Sequence, residues 1–227
     1  AFRWDSSFNI TLPKNELVDF PNIESSSYRL LKVGQSLNLI NKYLITGVNS
    51  ATGLYEIQDT NGSGTFTTAD YVVQGNTDPK YYGGFRNSFS YGGLSLDVFF
   101  DYKKQIGKSP IGSLYSLTIT PGTMYNMPTF VQDRWQASGD EKEIAKVLPT
   151  TPTNLTNLNA SSLWYNDQSF VRLKTLMLAY SLDKGLLDKI GAKNLRIYLQ
   201  GQNLLTFSKD KYYNPETQSL VRVPPLQ

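Results

Sequence analysis

Hydrophobic and polar residues alternate one by one at the start of the chain. Between positions 2 and 12 the even positions are mostly apolar, from Phe2 and Trp4 to Leu12, and every odd position is polar or charged. Successive side chains of a β-strand point to opposite faces, so the pattern predicts a strand with one apolar face. The run lasts about eleven residues, whereas strands of soluble proteins most often have about five or six.

The same alternation recurs in four more stretches of the chain. It predicts strands over residues 84–91, 94–103, 170–182 and 194–206. Phe99 is an exception, because it falls on the polar side of its stretch. In the third stretch the alternation places Arg172 and Lys174 on the leucine-rich side, from which we expect both cations to reach lipid head groups.

Long strands of this kind are typical of outer-membrane β-barrels. A large soluble β-sandwich also has alternating strands and is the alternative. Strand length favours the membrane, and so do aromatic residues near the strand ends, namely Trp4, Tyr91, Tyr102 and Tyr180. We therefore expect an all-β fold, an antiparallel transmembrane β-barrel fragment of six to eight strands.

The barrel interpretation assigns each strand residue to lipid or to the lumen. The residues expected to face lipid are Leu94, Leu96, Val98, Leu195, Ile197 and Leu199. The residues expected to face the lumen are Asp97, Asp101, Arg196 and Gln200.

The connections between predicted strands differ greatly in length. Gly92 and Gly93 form a tight hairpin turn, and residues 183–193 form a short link with a helical turn expected over Leu186–Ile190. Two other segments, 47–83 and 104–168, are long and are predicted to lack regular structure. Outer-membrane barrels have short periplasmic turns and long extracellular loops, so we expect both long segments outside the cell.

Composition excludes several classes of site. The chain of 227 residues contains no Cys and no His, which excludes disulfides, Cys/His zinc sites and catalytic triads that use either residue. A net charge of +3 gives no reason to expect nucleic-acid binding. No signal peptide and no apolar window of about 18–20 residues is visible.

One loop resembles a calcium-binding loop. The stretch DTNGSGTFTTAD, residues 59–70, places oxygen-bearing residues at the spacing of an EF-hand loop. The candidate metal ligands are Asp59, Asn61, Ser63, the Thr65 carbonyl and Asp70. Two carboxylates imply an affinity near the millimolar class, and the alternative is an Asn-Gly turn held by Asx hydrogen bonds without metal.

Two other groups of residues are candidates for a functional site. Trp135, Trp164 and Tyr165 lie in or beside the second long segment and could stack on sugar rings, although packing between loops or a place in the aromatic girdle explains them better. Asp97 and Asp101 share the polar face of one strand, where a polar lumen lining explains them more simply than glycoside hydrolysis does. We therefore expect no catalytic residues and no enzymatic activity.

Four stretches of the chain carry a resemblance to a known family. They are DTNGSGTFTTADYVVQGNTDPKYYGGFRNSFSYGGLSLDVFFDY, RWQASGDEKEIAKV, SSLWYNDQSFVRLKTLMLAYSL and NLRIYLQGQNLLTFSKDKYYNPE. Together they resemble the C-terminal β-barrel part of SusC/RagA-type TonB-linked outer-membrane transporters.

The resemblance implies a barrel of about 22 strands, the size of plugged outer-membrane transporters. It also implies import of oligosaccharides or peptides, driven by the TonB complex, with a SusD-like surface lipoprotein over the extracellular mouth. Residues 1–227 are then a C-terminal portion of the barrel domain, without the plug, the signal peptide and a last strand into which residues 221–227 would lead. The other function that the sequence leaves open is a soluble or surface-attached, calcium-stabilised module that binds carbohydrate.

Overall fold

The computed structural model describes residues 1–116, 120–150, 152–189 and 191–218. Its largest element is a five-stranded antiparallel sheet in which the strands follow the order β1-β6-β7-β10-β11. These strands are β1 (Arg3–Thr11), β6 (Tyr81–Tyr91), β7 (Leu94–Lys104), β10 (Phe170–Ser181) and β11 (Arg196–Ser208). All five strands predicted from alternation are confirmed, with their ends shifted by no more than three residues.

A two-residue turn joins β6 to β7, as the sequence predicted. Tyr91 pairs with Leu94, and Gly92 and Gly93 between them have φ of 53° and 84°. Positive φ at both positions suits the turn that matches the twist of paired strands, and glycine adopts it without strain. A Cβ on Gly93 would also lie 2.5 Å from the Ser181 carbonyl oxygen, so the turn packs against β10.

A bulge in β10 changes which face two cations occupy. The register of β10 against β7 shifts between Leu173 and Thr175, so Lys174 is an extra residue. Arg172 consequently pairs with Asp101 on the polar face of β7, and the Lys174 ammonium lies 3.5 Å from the Asp101 carboxylate. The prediction that both cations share the leucine-rich face is wrong, because alternation by twos does not survive a bulge.

The two long segments are folded, and the prediction that they lack regular structure is wrong. Three two-stranded sheets lie in these segments and in the residues just before the first of them. Their strands are β2 (Leu39–Lys42) with β5 (Val72–Asn76), β3 (Ile45–Val48) with β4 (Tyr55–Ile57), and β8 (Ile106–Lys108) with β9 (Tyr165–Asp167). Short helices complete them: α1 (Pro110–Ser113), α2 (Leu155–Asn159) and the 3-10 turns Thr68–Asp70, Thr129–Asp133 and Ser162–Trp164. The described residues thus contain eleven strands, more than the six to eight expected.

A buried hydrophobic cluster also lies in these segments and not under the main sheet. Its members are Tyr55, Leu114, Tyr115, Phe130, Val131, Ile144, Ala145, Leu155 and Leu158. The Tyr55 and Tyr115 rings meet edge to face at 5.3 Å, and burial raises the pKa of Tyr115 to about 12. Because its members are scattered over about a hundred residues, no periodic pattern in the sequence predicts this core.

Two smaller predictions concern the rest of the chain. Helix α3 (Lys184–Lys189) confirms a helical turn in the short link, although Ile190 lies outside the described residues. Residues 221–227 also lie outside them. In the described part of the chain, no helix combines the length and the apolar character needed to cross a membrane.

Candidate functional site

One face of the main sheet is apolar and uncovered. Residues paired across neighbouring strands share a face, and the register puts Leu96 opposite Phe89 and Leu178, which is opposite Leu199. Leu199 is 75% exposed and Ile197 62% exposed, so the described chain provides nothing that covers them. A contiguous exposed apolar face of this size marks contact with protein or with membrane.

Aromatic rings lie toward both ends of this face. The Trp4 cluster, made of Phe2, Trp4 and Phe89, has ring centroids 6.1 and 6.5 Å apart. The Tyr102 cluster, made of Phe8, Tyr81 and Tyr102, has centroids 5.9 and 6.3 Å apart. The eleven residues of β7 span roughly 34 Å. At a tilt of about 40° they rise roughly 26 Å, close to the apolar band of about 25 Å in outer-membrane barrels.

The opposite face is polar and carries ion pairs. Asp97 accepts hydrogen bonds from Arg86 at 2.8 Å and from the Ser88 hydroxyl at 2.5 Å. Phe99, the apolar exception on this face, lies over Gly84, where a Cβ would come within 2.7 Å of its ring. The distribution of the predicted strand residues between two faces is therefore confirmed, although Leu195 lies just before β11.

Both outer strands of the sheet have a free edge. Within the described residues β1 pairs only with β6, and β11 pairs only with β10. Unpaired edges invite further strands, so the geometry is that of one section of a larger sheet.

Segment 209–218, which follows β11, folds back over the polar face. The Arg172 side chain is 2% exposed and donates to the Glu216 carboxylate at 2.5 Å and to the Asn214 side chain at 3.2 Å. Asp210 accepts from the side chains of Asn166 and Gln168 at 2.7 and 2.6 Å. Sequence reasoning missed these partners, because only the three-dimensional fold brings residues some 40 positions apart together.

The candidate calcium loop is held by its own backbone. The Asp59 carboxylate accepts from the amides of Gly62, Ser63 and Gly64 at 2.7 to 3.2 Å. The Asn61 side chain accepts from the Ser63 amide at 2.9 Å, and the Ser63 hydroxyl donates to the Thr65 carbonyl at 3.0 Å. The predicted ligands thus lie together in one compact turn.

Asp70 closes the same loop. Its carboxylate is fully buried and accepts from the amides of Thr60, Asn61 and Thr67 at 3.0 to 3.3 Å. The Thr67 amide and then the other two hold the pKa of Asp70 below its usual range against the cost of burial. This bonding is what the Asx-turn alternative expects, and calcium binding stays a prediction.

The three candidate sugar-stacking residues have different surroundings. The Trp135 indole donates to the Ser50 carbonyl at 2.8 Å, its ring lies against Gly53, and the Lys146 ammonium is 5.7 Å from the ring centroid. Trp135 therefore packs one loop against another. Trp164 ends the 3-10 turn before β9, and its indole nitrogen is buried without a hydrogen-bond partner in the described chain.

Tyr165 lines a cavity of about 340 Å³ beside the end of β7. The cavity is also lined by Lys80, Lys104 and Asp167, together with Ile40, Gln74, Gln105, Ile106, Ser162 and Asn166. Lys104 and Asp167 form an ion pair of 2.7 Å. Partial burial opposes ionisation of Asp167, but hydrogen bonds from Lys104 and Ser169 outweigh it and lower the pKa of Asp167 to about 2.

Comparison with known proteins gives consistent matches. No protein-family model matches the chain. It is 25% identical over 242 aligned residues to TonB-dependent receptor P3 of Formosa agariphila, and 28% identical over 245 to TonB-dependent receptor P26 of the same organism. Each alignment covers 95% of this chain but only 23% and 24% of the relative, so the chain spans about a quarter of the length of the curated relatives it matches.

Solved structures give the same picture of the fold. The RagAB peptide transporter matches with a TM-score of 0.65, and the RagAB peptide importer in its open-open state with 0.64. Both are 21% identical in sequence, and the matches cover 95% of this chain and 25% and 24% of those chains. These matches confirm the resemblance to SusC/RagA-type TonB-linked transporters, and the matched proteins are receptors and transporters, not enzymes.

Proposed function

We propose that this chain forms a section of the barrel wall and the extracellular loops of a TonB-dependent importer in the outer membrane of a Gram-negative cell. The observation that carries the proposal is the main sheet, which has a charged face and, within the described part of the chain, an uncovered apolar face and two free edges. In this arrangement the apolar face contacts lipid and the polar face lines the lumen.

The physics of the bilayer explains why such a sheet needs more strands. In hydrocarbon every backbone amide and carbonyl must have a partner inside the protein, so a sheet with open edges cannot span alone. Further strands of the same protein therefore pair with β1 and β11, and the resemblance suggests about 22 in total. The chain is in this view a C-terminal portion of the barrel domain, and the plug belongs to another part of the protein.

The imported substrates are proposed to be oligosaccharides or peptides. The RagAB matches are named as a peptide transporter and importer, which supports the peptide class for a related barrel. The proposed partners are a SusD-like surface lipoprotein over the mouth, and the TonB complex acting through the plug-bearing part of the protein. The buried core of the long segments would give that mouth a firm rim instead of mobile loops.

Cysteine labelling of intact cells tests the proposal. Since the chain has no Cys, Met124→Cys and Lys184→Cys each add one thiol, in the full-length protein freed of other reactive cysteines. Met124 is fully exposed in a long segment, and Lys184 lies in the short link. A membrane-impermeant maleimide should label Met124→Cys on intact cells and Lys184→Cys only after the outer membrane is opened.

The same experiment bears on the alternative function. A soluble or surface-attached carbohydrate-binding module would expose both thiols on the same side of the membrane, so equal labelling of the two variants would refute the barrel. The comparisons do not favour this alternative, since the relatives are named TonB-dependent receptors.

A further inference from the structure

We infer that the cavity beside the end of β7 binds the phosphate group of a membrane lipid. The inference rests on the proposed function, because it takes the apolar face of the main sheet as the lipid-facing one. It concerns the cavity lined by Lys80, Lys104, Tyr165 and Asp167.

Register places this cavity on the apolar side of the sheet. Lys104 pairs with Tyr81, and two residues earlier Tyr102 pairs with Gly83, so Lys104, Tyr81 and Tyr102 share a face. Lys103 pairs with Tyr82 on the opposite, polar face. The Lys104 end of the cavity therefore belongs to the surface that we assign to lipid, not to the lumen.

The cavity also lies at the depth where lipid phosphates are found. The Tyr102 cluster is adjacent to it along β7 and tyrosine rings favour the interface between hydrocarbon and water. The Tyr102 hydroxyl donates to the Asn9 carbonyl at 2.8 Å, which fixes the ring in this layer. The next polar layer outward from such a belt is that of the head groups.

Two hydrogen-bond donors in the cavity have no partner among the residues that the structure describes. Lys104 is neutralised by Asp167 at 2.7 Å, whereas no hydrogen bond or ion pair occupies the Lys80 ammonium or the Tyr165 hydroxyl within the described residues. Two lysines against one carboxylate leave the cavity with one positive charge. Its volume of about 340 Å³ is within the usual range of ligand sites, and Lys is a common point-charge partner of phosphate.

A soluble anion is the alternative ligand of this cavity, because its carboxylate or phosphate would make the same contacts as a lipid phosphate. A substrate carboxylate or free phosphate would be expected on the polar face, where the lumen lies, and the cavity is not on that face. A lipid phosphate also brings acyl chains, for which the neighbouring apolar face is the matching surface. These two points favour the lipid.

Mass spectrometry of the intact, detergent-solubilised full-length protein tests the inference. The probe is phosphatidic acid, and diacylglycerol with the same acyl chains serves as the probe without phosphate. Lys80→Gln should weaken phosphatidic acid binding about fivefold, the effect of one cation near a head group, and leave diacylglycerol binding unchanged. Tyr165→Phe, which removes one hydroxyl, should weaken it in the same direction.

Lys103→Gln is the matched control, because it removes an equal charge from the opposite face one residue before Lys104. Binding that falls equally in Lys80→Gln and Lys103→Gln, or in neither, overturns the inference. Inorganic phosphate that displaces the lipid at equal concentration would assign the cavity to a free anion and overturn it too. Labelling of Met124→Cys tests membrane placement independently, so a failure here leaves the proposed function standing.

Discussion

Placing an arginine at Val98 tests whether the apolar face is embedded in lipid. Val98 is the fifth of the eleven residues of β7 and lies between Asn87 and Leu176 on the apolar face. At a tilt of about 40° its Cα lies roughly 10 Å from the nearer end of the strand along the membrane normal. An arginine at this depth must hold its charge in hydrocarbon or deform the bilayer to reach water.

The expected cost of Val98→Arg follows from this depth. Arginine near the midplane of an outer-membrane barrel costs about 2–4 kcal/mol, which lowers the folding equilibrium constant about 30- to 700-fold. Gln200→Arg is the matched control, because Gln200 is exposed on the polar face opposite Met177 and should cost much less. Leu199→Arg, on the apolar face of β11, should also cost clearly more than Gln200→Arg, its neighbour on the polar face.

Equilibrium unfolding of the full-length protein in lipid vesicles, with denaturant as the variable, measures these differences. In a water-exposed sheet a surface substitution changes stability by no more than about 0.5 kcal/mol. Equal stabilities for Val98→Arg and Gln200→Arg would therefore refute the assignment of faces to lipid and lumen.

Three further predictions concern the polar side and the loops. Arg172→Leu should destabilise the protein by roughly 2–3 kcal/mol, since it removes charged hydrogen bonds to segment 209–218. Limited proteolysis should then cut that segment first. Glu216→Gln should reproduce this effect only weakly. Calcium titration followed by calorimetry should give heats with a dissociation constant on the order of 10⁻⁴–10⁻³ M that Asp59→Ala abolishes, and equal heats for both proteins would leave only the Asx turn. The pKa of Asp167 falls from 3.8 to about 2 on folding, so its contribution is present above about pH 4 and is lost as the pH falls towards 2. Asp167→Asn should therefore cost about 1 kcal/mol at neutral pH after allowance for solvent screening, and nothing near pH 2, and a difference that persists in acid would contradict the ion pair with Lys104.

The sequence by itself determined the strands of the main sheet and the character of their two faces. Alternation by twos is a local property, because neighbouring side chains of a strand must point to opposite sides whatever the strand pairs with. Strands as far apart as β1 and β11 could therefore be found independently of each other. The Gly92-Gly93 turn was equally local, since its conformation depends on two residues.

The sequence could not determine features that depend on distant contacts. The bulge at Lys174 was hidden, because register is set by pairing with β7 and β11, and this one residue moved Arg172 from the expected lipid face to a buried bond with Glu216. The family resemblance included the stretch that ends at Glu216 only as a sequence motif, and it did not indicate which residues that stretch contacts.

The loop core and the cavity beside β7 were decided by tertiary structure alone. The core joins residues from Tyr55 to Leu158, and these residues do not belong to one periodic hydrophobic pattern. No local pattern in the sequence therefore predicts it. Tyr165 was noticed in the sequence as an aromatic residue, but Lys80 and Lys104 were not connected with it. Only the pairing of β6 with β7 and of β8 with β9 brings these three side chains around one space, because a cavity is a property of surfaces that meet and not of a chain read in order.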